Sequence, residues 1–125
     1  MITLYGIKNC DTVKKARKWL EKNDVEYRFH DFREDGMQSV PLREWLKEFG
    51  WQEVLNRRST SWRALGEEQK SAMDNDSALA ITLEIPTLIK RPVTVAGSEI
   101  LFGFKEETLA AMIEKVTALS GKEMA

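Results

Sequence analysis

The stretch ITLYGIKNCDTVKKARKWL, residues 2–20, decides the fold, because it reads as a strand, a polar loop and a helix in succession. Ile2–Gly6 alternates in the manner of a short strand. The loop that follows carries Cys10, the single cysteine of the chain. Apolar residues then recur at helical spacing: Val13, Ala16 and Leu20. The pattern therefore predicts a thiol beside the first free amides of a helix.

This position favours a reactive Cys10. The free amides and the dipole at a helix N-terminus stabilise an anion, and the thiolate is the form of cysteine that attacks electrophiles. Most free cysteines are small buried hydrophobes. Here the flanking residues Lys8, Asn9, Asp11 and Thr12 are too polar for a core stretch. We therefore expect Cys10 to be a nucleophile.

The composition excludes several classes of function. The 125 residues are 42% hydrophobic and 31% charged, and the net charge of -1 argues against general binding to nucleic acid or to a membrane surface. No apolar run approaches the roughly 20 residues of a membrane span. One cysteine excludes an internal disulfide, and one histidine with one cysteine makes no metal site. We expect a monomeric cytoplasmic protein without metal.

A second strand and a helical block follow the first helix. Residues 25–32 alternate, and the helix of about Asp11–Asn23 joins both strands in a parallel βαβ unit. Ser39–Pro41 begins an amphipathic helix that Gly50 ends. Short polar helical pieces are predicted around residues 62–65, 67–73 and 77–84. Residues 34–84 therefore form a helical block between strands.

The last third of the chain returns to strands. Pro86–Lys90 and Val93–Ala96 are each predicted as a strand, and Gly97-Ser98 turns the chain into the strand Glu99–Phe104 as a hairpin. Apolar residues at helical spacing then predict a closing helix: Leu109, Met112, Ile113 and Val116.

The element order β-α-β, helical insertion, β-β-α predicts an α/β protein with a thioredoxin-like fold and a mixed sheet. A single domain covers residues 1–118. Its core spans about residues 1–33 and 85–118, the insertion about 34–84, and residues 119–125 form a tail.

Basic residues gather near the thiol. Most of them are interpreted as a solvated helix face: Lys14, Lys15, Arg17 and Lys18. Lys8 shares the loop with Cys10, so it is the candidate to add positive potential at the sulfur. Thr12 is either a helix cap or a hydroxyl donor to the thiolate, and both roles are compatible.

Two further basic segments are candidates. Arg57-Arg58 follows a tryptophan and two aliphatic residues, and a guanidinium holds an oxyanion or carboxylate through two hydrogen bonds. Two loop arginines alone are more often surface residues. In Arg91-Pro92 the proline enters a strand, which marks an edge, a bulge or a cis bond.

Three blocks resemble one family. Residues 5–16, YGIKNCDTVKKA, resemble the opening of the ArsC/Spx family and most closely its YffB branch. Residues 55–63, LNRRSTSWR, are similar to the second signature of that branch, and residues 86–93, PTLIKRPV, to the third. The blocks occur in the same order, and the match runs from Met1 to about Val116.

The resemblance implies a thioredoxin fold with a helical insertion and a cis peptide before Pro92, beside the thiol. In the arsenate reductases of the family the cysteine attacks arsenate, arginines stabilise the oxyanion, and glutathione with a glutaredoxin releases the product. By position Cys10 matches the nucleophile and Arg91 the arginine before the cis-proline. Arg57 or Arg58 matches the arginine of the middle signature, with the register left open.

Two departures argue against arsenate. Arsenate reductases carry a further arginine in the hairpin, where Gly103 supplies no charge, and Asp11 places an acid beside the nucleophile. The branch implies instead a glutathione-linked thiol reductase. The mixed disulfide on Cys10 must be resolved by an external thiol, because the chain has no second cysteine. Glutathione fits as a co-substrate, with its carboxylates held by Arg91 and by Arg57 or Arg58. Pro92 would form the wall opposite the thiol. We expect no permanently bound cofactor.

Two alternatives stay open. The Spx relatives are regulators that bind RNA polymerase and carry a Cys-x-x-Cys redox switch. In this chain Val13 replaces the second cysteine, so the switch cannot form. A polymerase-binding role independent of redox is therefore the second hypothesis, and residual arsenate reduction is the third. Partners of the thiol reductase would be glutathione and a glutaredoxin or a protein disulfide.

Overall fold

The computed structural model describes the backbone of residues 2–124 and the side chains of residues 2–118. The chain divides into two compact units. We call Met1–Asp31 with Arg91–Ala125 the sheet unit, and Phe32–Lys90 the helical unit.

The elements follow one another as β1 (Ile2–Gly6), α1 (Asp11–Lys22), β2 (Tyr27–Asp31), α2 (Leu42–Phe49), α3 (Trp51–Val54), α4 (Thr60–Arg63), α5 (Glu67–Ser71), α6 (Asn75–Glu84), a 3-10 turn (Pro86–Leu88), β3 (Val93–Ala96), β4 (Glu99–Phe102) and α7 (Glu106–Met124). The sheet has the order β2-β1-β3-β4. β1 runs parallel to β2 and antiparallel to β3, which is antiparallel to β4. This mixed sheet, with the βαβ unit before the helices and the hairpin and helix after them, confirms the predicted thioredoxin-like fold.

One face of the sheet is covered by α1 and α7. The alternation of β1 turns Ile2 and Leu4 to this face, where the apolar stripes of both helices pack against them. The buried helical residues of this cluster are Val13, Ala16, Leu20, Leu109 and Met112. The burial of these side chains fixes the start of α1, and therefore the thiol, against the end of β1.

The helical unit is built from short helices around α2. Trp45, only 1% exposed, and Leu46 lie in its core. Side-chain caps hold the helix ends: Ser59 Oγ accepts from the Trp62 amide at 3.1 Å, and Asp74 Oδ1 accepts from the Ser77 amide at 2.8 Å. Short helices depend on such caps and on packing, because few of their backbone groups bond within the helix.

One predicted strand is wrong. Pro86–Leu88 forms a 3-10 turn, and Ile89 makes only an isolated bridge with Leu55. The amides of Leu88 and Ile89 donate to carbonyls three residues back, both at 3.1 Å, so they are not available for a sheet ladder. The two adjacent apolar residues of this stretch, Leu88 and Ile89, are fully buried.

Other elements follow the predictions closely. The predicted first helix and the hairpin are confirmed, and α2 ends at Gly50, whose φ of 81° favours glycine. Helix α3 was not predicted. The predicted tail 119–125 falls on the end of α7, where the backbone is helical to Met124, and the side chains of this tail lie outside the described residues.

Candidate functional site

Cys10 lies at the N-cap of α1. Its backbone is extended, with φ -113° and ψ 122°, and its carbonyl accepts the first helical hydrogen bond from the Lys14 amide at 2.9 Å. The amides of residues 11–13 therefore have no partner within the helix. The Cys10 side chain is half-buried and makes no capping hydrogen bond. A thiolate at this position meets free N–H groups and the positive end of the helix dipole.

The close approach of β1 to α1 requires Gly6. A Cβ on Gly6 would lie 2.7 Å from Cγ2 of Val13, which is closer than real Cβ contacts allow. Val13 itself is fully buried. The glycine therefore lets the strand end directly beneath the first turn of the helix that carries the thiol.

The loop between β1 and α1 is anchored by Asp31, which the sequence analysis did not single out. Asp31 is 3% exposed at the end of β2, and its Oδ2 accepts from the Lys8 amide at 3.1 Å. β1 pairs with β2 through Gly6 and Asp31, so this carboxylate lies where the loop begins. Asp31 follows Val25, Tyr27 and Phe29 in the apolar phase of the alternation, and a carboxylate in that phase was the available signal. The Lys8 side chain is exposed in the same loop.

Arg91 and Pro92 lie at the same end of the sheet as the thiol loop. Val93, the first residue of β3, pairs with Tyr5 near the end of β1. The Arg91-Pro92 peptide bond is cis, which confirms the expectation from the resemblance. Arg91 is half-buried, and within the described part of the chain its guanidinium makes no hydrogen bond or ion pair. An anion bound there would not have to displace a protein partner.

Gly103 follows the last residue of β4, at the same end of the sheet. Its amide donates to the Pro92 carbonyl at 2.8 Å, and its φ is +87°, a conformation that side-chain-bearing residues rarely adopt. An arginine at this position would therefore have a strained backbone.

Thr12 does not cap the helix, so that part of its predicted role is wrong. Cys10 occupies the cap position, and Thr12 lies in the first turn. Its side chain is exposed, and the structure shows no hydrogen bond from its hydroxyl to any described residue. Donation from Thr12 to the thiolate stays a prediction.

The two arginines of the middle block lie in the helical unit. Arg57 is exposed, and its guanidinium lies 5.8 Å from the ring centroid of Trp51, which stacks on Trp62. Arg58 is also exposed, and only its amide is engaged, donating to Asn56 Oδ1 at 3.0 Å. Both retain guanidinium donors, so the choice between them stays open.

Tyr5 and His30 form an aromatic contact on neighbouring strands. Their ring centroids are 5.2 Å apart. Burial raises the pKa of the Tyr5 phenol above 10.0, and the positive charge of Arg28 opposes this in part. The phenol therefore remains neutral through the physiological range.

The described residues place two limits on the site. Over that part of the chain, no group of three or more His, Cys, Asp or Glu side chains is arranged to hold a metal ion. Among the same residues, no helix has the length and apolar character of a membrane span.

Comparisons with known proteins identify the family of the chain. The model of the ArsC family matches residues 5–112. An uncharacterized protein of Haemophilus influenzae is 48% identical over 111 residues, which are 89% of this chain and 97% of that protein. The global transcriptional regulator Spx 1 of Lactococcus lactis is 27% identical over 92% of this chain and 91% of its own length. The solved structure of a protein named YffB has a TM-score of 0.83 at 48% identity, covering 89% of this chain and 97% of that one.

The fold and the chain-long family match lead to the same assignment. The predicted resemblance to the ArsC/Spx family, and to YffB within it, is confirmed. Since the family model spans most of the sequence, this protein belongs to the ArsC family.

Proposed function

We propose that this protein is a glutathione-dependent thiol–disulfide oxidoreductase that uses Cys10 as its only nucleophile. The observation that carries the proposal is the position of Cys10, beside the free amides at the start of α1 and at the sheet end where Arg91-Pro92 enters β3. The family membership and the thioredoxin-like fold of the thiol oxidoreductases support the same chemistry.

The reaction proceeds by two thiol–disulfide exchanges. The Cys10 thiolate attacks the glutathione sulfur of a mixed disulfide, a Cys10–glutathione disulfide forms, and the substrate leaves as a thiolate that takes a proton from water. A second glutathione thiolate then attacks the glutathione sulfur bound to Cys10. Oxidised glutathione leaves, and the Cys10 thiolate is regenerated. The substrate disulfide is reduced, two glutathione sulfurs are joined, and no second protein cysteine is needed.

The charged groups of the chain have matching roles in the proposal. The helix amides stabilise the Cys10 thiolate both as attacking and as leaving group, and Lys8 adds positive potential in the same loop. Arg91, which has a guanidinium without a partner in the described part of the chain, binds a glutathione carboxylate. Arg57 or Arg58 binds the second carboxylate. The reaction requires a compartment rich in reduced glutathione, which fits the cytoplasm.

The test is turnover of a glutathione mixed disulfide of mercaptoethanol by the wild type and by Cys10→Ser. Glutathione supplies the electrons, and the formation of oxidised glutathione is followed. We expect turnover by the wild type and none by the variant, with unchanged circular dichroism and thermal unfolding. A folded Cys10→Ser protein that retains full activity would rule out the mechanism.

A second candidate is a regulator that binds RNA polymerase. The similarity to the transcriptional regulator Spx 1 favours it, although Val13 stands where a Cys-x-x-Cys switch needs its second thiol. Capture of purified RNA polymerase by both the wild type and Cys10→Ser would support this role. Arsenate reduction is the third candidate, and a direct turnover assay with arsenate, glutathione and a glutaredoxin decides it.

A further inference from the structure

The exposed side of α1 carries a row of lysines that the reaction above does not use. Successive residues of a helix are rotated by about 100°. The buried residues of α1 therefore lie on one side, and four exposed lysines lie opposite them: Lys14, Lys15, Lys18 and Lys22. We call these four the α1 lysine row. It begins one turn after Cys10 and, at 1.5 Å per residue, extends for about 12 Å along the helix.

Helix stability explains only part of the row, because Lys22 lies in the last turn, where the helix dipole favours a cation, and Asp11 precedes Lys15 by four residues. Lys14 and Lys18 are four residues apart, as are Lys18 and Lys22, and like charges at this spacing repel. Within residues 2–118, whose side chains the structure describes, none of the four ammonium groups takes part in an ion pair or a hydrogen bond. By contrast, Lys115 of α7 is paired with Glu99.

The charge is also concentrated at this place in the sequence. Residues 8–22 contain six basic and two acidic residues, a net charge of +4, whereas the whole chain has a net charge of -1. A solvated helix face normally mixes both signs, as α2 does with Arg43, Glu44, Lys47 and Glu48. The α1 lysine row is thus a positive surface that adjoins the nucleophile.

The length of the row indicates the size of its ligand. Glutathione has two carboxylates, and the proposed anchors already supply cations for both. A row that continues three turns beyond the thiol is longer than a tripeptide needs, and it matches a macromolecule whose reacting sulfur lies at Cys10. The remaining charge of the chain is negative, which disfavours a general polyanion ligand such as nucleic acid.

We propose that the α1 lysine row is the docking surface for an acidic protein that presents its disulfide to Cys10. This inference rests on the proposed function, and it specifies the substrate class as glutathione mixed disulfides of proteins whose modified cysteine is flanked by Asp and Glu. Complementary charge at a docking surface mainly raises the association rate. The α1 lysine row should therefore raise the turnover rate at low substrate concentration.

The experiment uses two glutathionylated peptides that are identical except that the residues flanking the cysteine are Glu in one and Gln in the other. The row variant carries Lys14→Gln, Lys15→Gln and Lys18→Gln. The control variant removes the same number of exposed charges outside α1 through Arg43→Gln, Lys47→Gln and Lys105→Gln. Turnover is measured at low and high salt for the three proteins. Binding is measured separately by fluorescence anisotropy on Cys10→Ser, with the row and control substitutions added.

We expect the wild type and the control variant to reduce the Glu peptide about tenfold faster than the Gln peptide at low salt, and the row variant to lose this preference. High salt should remove the difference. Equal rates for both peptides in the wild type would overturn the docking surface, as would an equal loss in the row and control variants. Equally tight binding of a single-stranded oligonucleotide of the same charge would also overturn it.

The outcome separates this inference from the proposed function. If the wild type reduces neither peptide, the thiol reductase fails, and the anisotropy of Cys10→Ser still decides whether the row selects the Glu peptide. If both peptides are reduced at the same rate, the reductase stands and the docking surface fails.

Discussion

The interactions that stabilise the sheet unit internally differ in kind from those that stabilise the helical unit. In the sheet unit four strands pair through backbone ladders, and one apolar cluster joins the sheet to α1 and α7. In the helical unit no helix is longer than ten residues over its described range, and side-chain caps hold several helix ends. The proposed chemistry follows the same division.

In the proposed reaction the sheet unit supplies the Cys10 thiol, the free amides of α1 and the Arg91 guanidinium. Cys10 lies at the free amides of α1, and the buried carboxylate of Asp31 anchors the loop before it. In the helical unit the side chains of Arg57 and Arg58 are exposed. Changes of packing should therefore alter the thiol through the sheet unit, and changes of single exposed side chains should alter ligand binding.

The largest effects are expected from two matched core substitutions. Leu20→Ala in α1 and Leu46→Ala in α2 each remove a side chain that is at most 2% exposed, so each should lower the free energy of unfolding by about 2–5 kcal/mol. Only Leu20→Ala should change the alkylation rate of Cys10, because Leu20 packs the helix that carries the thiol. Urea unfolding and iodoacetamide kinetics on the folded proteins measure both. The same change of alkylation rate in both variants would contradict the division between the units.

The next effect concerns Arg91. Arg91→Ala should raise the KM for glutathione about tenfold or more, because a charge-assisted hydrogen bond contributes about 1.5–3 kcal/mol. Alkylation of Cys10 by neutral iodoacetamide should change much less. Arg57→Ala and Arg58→Ala are the matched variants of the helical unit, and the one with the higher KM identifies the second anchor. Equal losses in glutathione binding and alkylation would mean that Arg91 acts only on the thiolate.

Asp31 tests the anchoring of the loop in the sheet unit. Asp31→Ala removes the acceptor of the Lys8 amide, and we expect the free energy of unfolding to fall by about 1–3 kcal/mol. Asp31→Asn retains an acceptor oxygen, so its free energy of unfolding should fall less. Chemical denaturation of both variants measures the difference. Identical losses would show that the charge of Asp31 matters rather than the hydrogen bond.

The smallest effect is the pH dependence of a cap in the helical unit. Hydrogen bonds from the amide and hydroxyl of Ser77 lower the pKa of Asp74 below 3.8. A lowered pKa means that the unfolded state binds more protons, so this contribution to stability is present above the ordinary pKa and is lost as pH falls through the folded value. The urea midpoint of the wild type should therefore fall more steeply below about pH 4 than that of Asp74→Asn. Parallel curves for the two proteins would show that this cap has no linkage to protons.

The sequence predicted the sheet unit better than the helical unit, for a physical reason. Ile2–Gly6 and the helix after it have strong periodic patterns, because one face of each is buried. In the helical unit Trp51–Val54 spans a single turn, too short for a period, and it was missed. Pro86–Lys90 was predicted as a strand, yet its proline begins a 3-10 turn, and the burial of Leu88 and Ile89 is compatible with either conformation.

The candidate site was predictable where it depends on position along the chain. Cys10 at a helix start follows from the spacing of Gly6, the polar loop and Val13. Asp31 was not predicted, because its role depends on a contact between residues 23 positions apart. The identity of the cap residue also needed the backbone, since Cys10 and Thr12 both stood at the boundary of the helix.

The most direct test of the account is the alkylation rate of Cys10 by iodoacetamide at about pH 6, measured on the native protein and on the chain unfolded in urea. An ordinary cysteine, with a pKa of about 8.5, is almost entirely protonated at this pH. If the start of α1 stabilises the thiolate, the native protein should react faster than the unfolded chain, despite the partial burial of the thiol. A native rate equal to or below that of the unfolded chain would contradict the claim that the fold activates Cys10.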